Sequence, residues 1–207
     1  MGTKELKILK SLNTPAKIQD FLNGMPINHE EDGDSFLSPM SVLEKNFCHC
    51  NEGAILAALA LRLQGQPPLL VDLTANKNDF DHVIAVFRKY GKWGAISKTN
   101  HAVLRYREPV YHSIHELVMS YFHEYTDKAG RKTLRSYSLP VNLKRFDRMN
   151  WMTSKESIFY IPEYLAEVKH YPLLNRKQIR NLRKADPIEI RMGGIVEWKK
   201  GQRKPLV

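Results

Sequence analysis

Cysteine is nearly absent: Cys48 and Cys50 are the only two in 207 residues. Two thiols one residue apart cannot readily close a relaxed disulfide, and so few make no disulfide framework, which excludes the small cross-linked scaffolds. Long apolar runs are missing too. The longest, 53–63, is interrupted by Arg62 and falls short of the about 18 residues that a membrane-spanning helix needs. The N-terminal stretch MGTKELKILKSLNTP has lysines but neither an apolar core nor a small-residue cleavage site, so no secretory signal is expected and the expected location is cytoplasmic. Internal repeats and low-complexity segments are absent. What is there is the composition of an ordinary soluble protein, 43% hydrophobic and 26% charged, in a chain long enough for one good core.

Charge of one sign is lacking only locally. Residues 1–127 carry 13 basic and 15 acidic groups, whereas 128–207 carry 19 and 7, so the net charge of +10 comes from the C-terminal third. Such a surface can attract an anionic partner. No nucleic-acid motif accompanies it, so specific nucleic-acid binding is not expected. The pattern divides the chain into a core with N-terminal helices, 1–125, and a basic extension or subdomain, 126–207, packed on it.

Thr14-Pro15 reads as an N-cap with proline at the first helical position, and Ile18, Phe21 and Leu22 share a face before Gly24 and Pro26 end the helix. Gln19 on this helix reads as a surface or interhelical residue, with an amide that could reach a site. The acidic segment 28–35 reads as a solvated loop; Glu30, Asp32 and Asp34 lack the later ligands of a calcium loop. Ser38-Pro39 starts a second helix. Residues 51–64 follow, apolar nearly all round and rich in small residues, and therefore a buried helix that Gly65 stops. Leu69–Leu73 reads as a short strand. His82–Tyr90 and Trp93–Ser97 read as a hairpin turning at Gly91-Lys92, and Ala102–Tyr106 as a further strand. Ser113 caps an amphipathic helix ending near Tyr125. Beyond it come extended structure around Leu134–Phe146 broken by Pro140, short helices at Ile161–Val168 and Asn175–Leu182, a hairpin or strand core at Ile195–Trp198 and a loose basic tail. Trp93 and Trp198 read as core or near-core.

A nucleophilic cysteine needs a stabilised thiolate, a histidine to move protons and a group that orients that histidine. Cys50, at the mouth of the buried helix, faces free backbone N–H groups that favour a thiolate and could hold an oxyanion. His82, at the start of the hairpin, is the candidate base. Asp81 and Asp79 lie near it in sequence, but Asp81 belongs to the opposite strand face. Cys48 reads as structural. Cys48, His49 and Cys50 have zinc-ligand chemistry, yet Cys-x-Cys without a second cluster is a weak signal, and the histidines at 101, 112, 115 and 123 have no metal-ligand spacing. No metal and no cofactor are expected. His101 could line the cleft.

The order Cys50, small-residue helix, Gly65, proline-containing link, strand to Asp72, His82 with alternating apolar residues, Gly91, Trp93 and the turn Ser97-Lys98-Thr99-Asn100 resembles the transglutaminase-like, papain-fold cysteine enzymes over about 46–125. That resemblance implies an α+β fold with a central helix packed on an antiparallel sheet. It further implies Cys50 as nucleophile and His82 as base. Where that family has its orienting aspartate this chain has Ser97, with Asn100 as a substitute candidate. A serine can accept a hydrogen bond from imidazole but supplies no charge. Two functions follow: a cysteine hydrolase or acyltransferase acting on a peptide, protein or isopeptide substrate, or a catalytically degenerate domain that binds protein or nucleic acid through its basic third.

Overall fold

In the computed structural model, residues 2–28 and 35–199 are described. Four helices come first: α1 (Thr3–Ser11), α2 (Pro15–Gly24), α3 (Pro39–Lys45) and α4 (Cys50–Leu63). The caps explain the starts of α2 and α3. Thr14 Oγ1 accepts from Lys17 N at 3.2 Å and Ser38 Oγ from Ser41 N at 3.3 Å, each followed by proline, whose missing N–H costs nothing in a first turn. Nothing in 1–13 had pointed to α1; Leu9 and Leu12 are buried against the core.

Strands β1 (Leu69–Ala75), β2 (His82–Lys89), β3 (Lys92–Ile96) and β4 (Arg107–Tyr111) follow, then α5 (Ile114–Met119), β5 (Leu134–Ser138) and β6 (Val141–Asn142). A 3-10 helix (Leu143–Met149), α6 (Tyr160–Glu167), β7 (His170–Pro172), α7 (Arg176–Arg180) and α8 (Pro187–Gly193) complete the described chain. The strands form one antiparallel sheet in the order β4-β3-β2-β1-β5-β7, with β6 also on β1. Residues beyond 125 therefore supply strands to the same sheet as those before. No described helix is long and apolar enough to cross a membrane.

Both faces of the sheet are covered. Leu70, Val83, Ala85, Phe87 and Ile96 join the cluster around α4, while Val71, Leu73, Ile84, Val86 and Ala95 join a second one beneath α5. Helix α4 packs on β1 and β2, with α1, α2 and α3 against its other sides. Its residues from Asn51 to Leu61 are all buried, which is why they show no polar face. Each large side chain buried there contributes roughly 1.5–3 kcal/mol.

The structure corrects several expectations. Ala102–Tyr106 is not a strand but a turn containing Leu104 at φ 58, and the strand is displaced to Arg107–Tyr111, whose Pro109 is tolerated because β4 is an edge. The helix after Ser113 ends at Met119 and continues as turns. Leu143 and Phe146 lie in the 3-10 helix rather than in extended chain. Among the described residues Ile195–Trp198 makes a single bridge, His101 with Val196, and the preceding α8, whose Asp186-Pro187 start and Glu189 form a capping box, was not anticipated. Trp93 is half-buried against the core as expected and Trp198 is half-buried; the fully buried tryptophan is Trp151. The acidic residues of 29–34 and the basic tail from 200 on lie outside the described residues.

Gly53 brings α4 against the chain that follows β3. A Cβ added there would stand 2.5 Å from Lys98 Cβ and 3.4 Å from Cys48 Sγ. Gly53→Ala should therefore destabilise the protein by about 1–3 kcal/mol despite the roughly 1 kcal/mol that alanine gains over glycine in a helix. Urea unfolding of the variant measures the difference, and a stabilised variant would contradict this close approach.

Candidate active site

The start of α4 carries a capping box, which leaves the Cys50 N–H as its free first-turn donor among the described residues. His49 Nδ1 accepts from Asn51 N at 3.1 Å, and Glu52 Oε2 accepts from His49 N at 3.0 Å. Glu52, 1% exposed, also accepts from Ser35 Oγ at 2.8 Å and Leu37 N at 2.9 Å through Oε1. Cys50 is the first residue of the helix, where a backbone N–H has no intrahelical acceptor.

The side chains of His49 and His82 both adjoin and act on the Cys50 thiol. Burial opposes ionisation, yet the two neighbouring rings and their charge bring the thiol down from 9.0 to about 5. Burial also opposes the His49 imidazolium. Its contact with Cys50 and the charges of Glu52 and Cys50 nonetheless raise it from 6.5 to about 9. While neutral, His49 accepts from Asn51 through Nδ1 and donates to Ser35 O through Nε2 at 2.9 Å. A protonated Nδ1 could no longer accept from Asn51 N, so the cap belongs to the neutral ring; the same side chain adjoins the Cys50 thiol.

His82, the first residue of β2, is 7% exposed and its Nε2 stands 2.7 Å from Ser97 Oγ. The Ser97 hydroxyl donates to Leu104 O, so it accepts from Nε2–H, which leaves Nδ1 as the ring nitrogen for Cys50. Ser97 is itself clamped: Gln19 Oε1 accepts from its N at 2.9 Å and Gln19 Nε2 donates to its carbonyl at 2.8 Å. Leu104 holds its left-handed conformation because Glu124 Oε2 accepts from its N at 2.7 Å, while Glu124 Oε1 pairs with Arg107 at 2.7 Å.

Cys50, His82 and Ser97 are thus brought together. Asn100 is not part of this chain of contacts; it lines the adjoining cleft, and its carbonyl accepts from Glu197 N at 2.8 Å. Asp81 accepts from Ala75 N and Asp79 from Thr133 Oγ1 and Phe80 N, so neither carboxylate orients His82. His101 lines the cleft and contacts Gly193 O at 2.8 Å. Cys48 is fully buried against Met25 Sδ, and burial raises its thiol to about 12. Among the described residues no group of three or more His, Cys, Asp or Glu is placed to hold a metal.

Two contributors were not read as part of the site: His49, weighed only as a zinc ligand, and Glu124; Gln19, read chiefly as a surface or interhelical residue whose amide could reach a site, holds Ser97 from 78 residues away. The His-x-x-Glu spacing of His49 and Glu52 was the one available signal. No protein-family model matches the chain, and no curated protein sequence matches it.

Two outcomes test the geometry. Because the Cys50 thiol is lowered, the thiolate should persist above about 5 and be lost as pH falls through that value. His49→Asn keeps a cap acceptor but removes the imidazole, so alkylation by iodoacetamide at mildly acidic pH should slow roughly tenfold or more. Ser97→Ala strands the ring N–H and should cost about 1–3 kcal/mol of stabilisation of the reactive arrangement. Ser97→Asp should not restore it, since a carboxylate cannot donate to Leu104 O; the alkylation rate profiles of the two variants are the measurement.

Proposed function

We propose that the protein is a cysteine-dependent hydrolase or acyltransferase acting on an amide, peptide or isopeptide bond, with a transglutaminase-like, papain-type core. The observation that carries the reading is Cys50 at the start of a buried helix, sharing one cavity with His82, whose Nε2 is held by Ser97. The order of these residues along helix, second strand and the end of the third supports the fold assignment, as does the packing of α4 on an antiparallel sheet.

In the proposed reaction the Cys50 thiolate adds to the carbonyl carbon, and the Cys50 N–H at the helix terminus faces the developing oxyanion. Collapse breaks the C–N bond, His82 delivers its proton to the departing amine, and a thioester remains on Cys50. Water or a second amine then attacks the thioester with His82 taking its proton, and the thiolate returns.

Brief exposure to p-nitrophenyl acetate, quenched in acid and followed by intact mass and peptide mapping, tests the claim. Cys50 should carry the acetyl group, Cys48 should not, and His82→Ala should slow the acylation by about 10²-fold or more. A Cys50 no more reactive than a simple thiol would favour the alternative, a catalytically silent domain of the same fold. The one observation on that side is that, among the described residues, no carboxylate or side-chain amide contacts His82.

A further inference from the structure

Two cavities meet at Cys50. One, of about 300 Å³, holds His82, Asn100, His101 and Glu124; the other, of about 430 Å³, lies on the side of Asp72 and Asn51. The chain carries a net charge of +10, yet this second cavity is lined by two carboxylates, Asp72 and Asp81, and by no lysine or arginine. Asn51 on its wall is 8% exposed; its Oδ1 has no hydrogen-bond partner among the described residues, but that oxygen is itself closed to solvent and offers the cavity no accessible acceptor. His49 and Cys50 also line the cavity, and the rest of the lining is apolar, including Phe36, Val83 and Leu165.

Phe80 stands at the mouth of both cavities and is 89% exposed. Its backbone is fixed at both ends, its N donating to Asp79 Oδ1 and its carbonyl accepting from Tyr125 Oη, each at 2.9 Å. A rigidly mounted aromatic ring in water beside an apolar cavity is a surface for an alkyl chain or for a cation over its face. Asp72 Oδ2 accepts from His170 Nε2 at 2.9 Å, and burial raises its carboxyl to about 6; a cation alongside would favour the carboxylate.

We propose that the cavity between Asn51, Asp72 and Phe80 is a substrate subsite for a basic side chain, an alkyl stem ending in an ammonium or guanidinium, seated beside the bond that Cys50 attacks. This rests on Cys50 being the nucleophile. The carboxylates supply the charge, and Phe80 with the apolar wall the contact for the stem. Aspartate and glutamate are disfavoured by the same two carboxylates, and a neutral alkyl chain gains nothing from them.

The test uses the charge of small thiol reagents at low salt near neutral pH. Rates of Cys50 modification by aminoethyl, hydroxyethyl and sulfonatoethyl methanethiosulfonate, each divided by its rate with N-acetylcysteine amide, should favour the aminoethyl reagent over the hydroxyethyl one by roughly tenfold. The net positive charge of the whole chain would by itself produce the opposite order. Asp72→Asn, which keeps an acceptor for His170, should lower the preference, because Asp72 lines only this cavity. Nα-acetyl-lysine methylamide should also slow iodoacetamide labelling of Cys50 more than its norleucine counterpart, a comparison that needs no variant. Equal normalised rates, or a preference that Asp72→Asn leaves intact, would overturn the assignment. Rapid iodoacetamide labelling at mildly acidic pH without charge preference would sink the subsite alone; slow labelling with the preference retained would sink the nucleophile reading alone.

Discussion

A buried carboxylate holds the site together. Glu52 sits at the third position of α4, 1% exposed, and takes donors from Asn28, Ser35, Leu37 and His49. A helix that starts inside a protein exposes several N–H groups with no water to satisfy them. Glu52 resolves that problem and joins the chain on both sides of residues 29–34 to the helix in the same step. The carboxylate also lies at the positive end of the helix dipole, where negative charge is stabilised. Cys50 is two residues away on the same turn. Its position, its access to a free N–H and the orientation of His49 above it all depend on this one cap.

The charge distribution around the reactive pair then differs from that of a triad with an aspartate. A carboxylate orienter would stabilise the imidazolium of His82 directly; Ser97 stabilises it only through a dipole that ends on the Leu104 carbonyl. An ion pair can equally be favoured from its anionic end. Here His49 and His82 both act on the Cys50 sulfur against burial, and the thiol is lowered to about 5 although no carboxylate contacts His82 among the described residues. Glu124 stands one step further out, holding Leu104 in a left-handed turn that aims its carbonyl at Ser97. Negative charge therefore serves the geometry of the orienter rather than its electrostatics.

Local signals in the chain anticipated what local physics controls. The Thr14 and Ser38 caps, the apolar α4, and the hairpin turn, with Tyr90 at φ 52 and Gly91 at φ 76, were all readable because each is fixed by a few adjacent residues. Cys50 and His82 were readable for the same reason, each standing at an element boundary, whereas Ser97 was reached only through the family resemblance. Gln19 was readable only as an amide that could reach a site, because its role is set by contact with a residue 78 positions away. Ala102–Tyr106 misled because its apolar residues imitate a strand, while a left-handed Leu104 has no compositional mark. The true strand, Arg107–Tyr111, carries charges and a proline that only an edge permits. His49 was read by ligand chemistry alone; its neighbour Glu52 decides that it is a cap.

The contrast between a basic chain and an acidic cavity has a physical consequence. At physiological ionic strength, exposed charges are screened over about 8 Å, so the lysines and arginines of the C-terminal third set how the protein approaches a partner but reach little into a recess. Within the recess the dielectric is lower, and Asp72, 6% exposed, is screened far less than any surface charge. The two fields can therefore select for different features of one ligand, an anionic surface outside and a cationic side chain inside. A polypeptide carries both on neighbouring residues, whereas a nucleic acid offers the first without the second. On the proposed reading of Cys50 and its cavity, the polypeptide is the partner that carries both features.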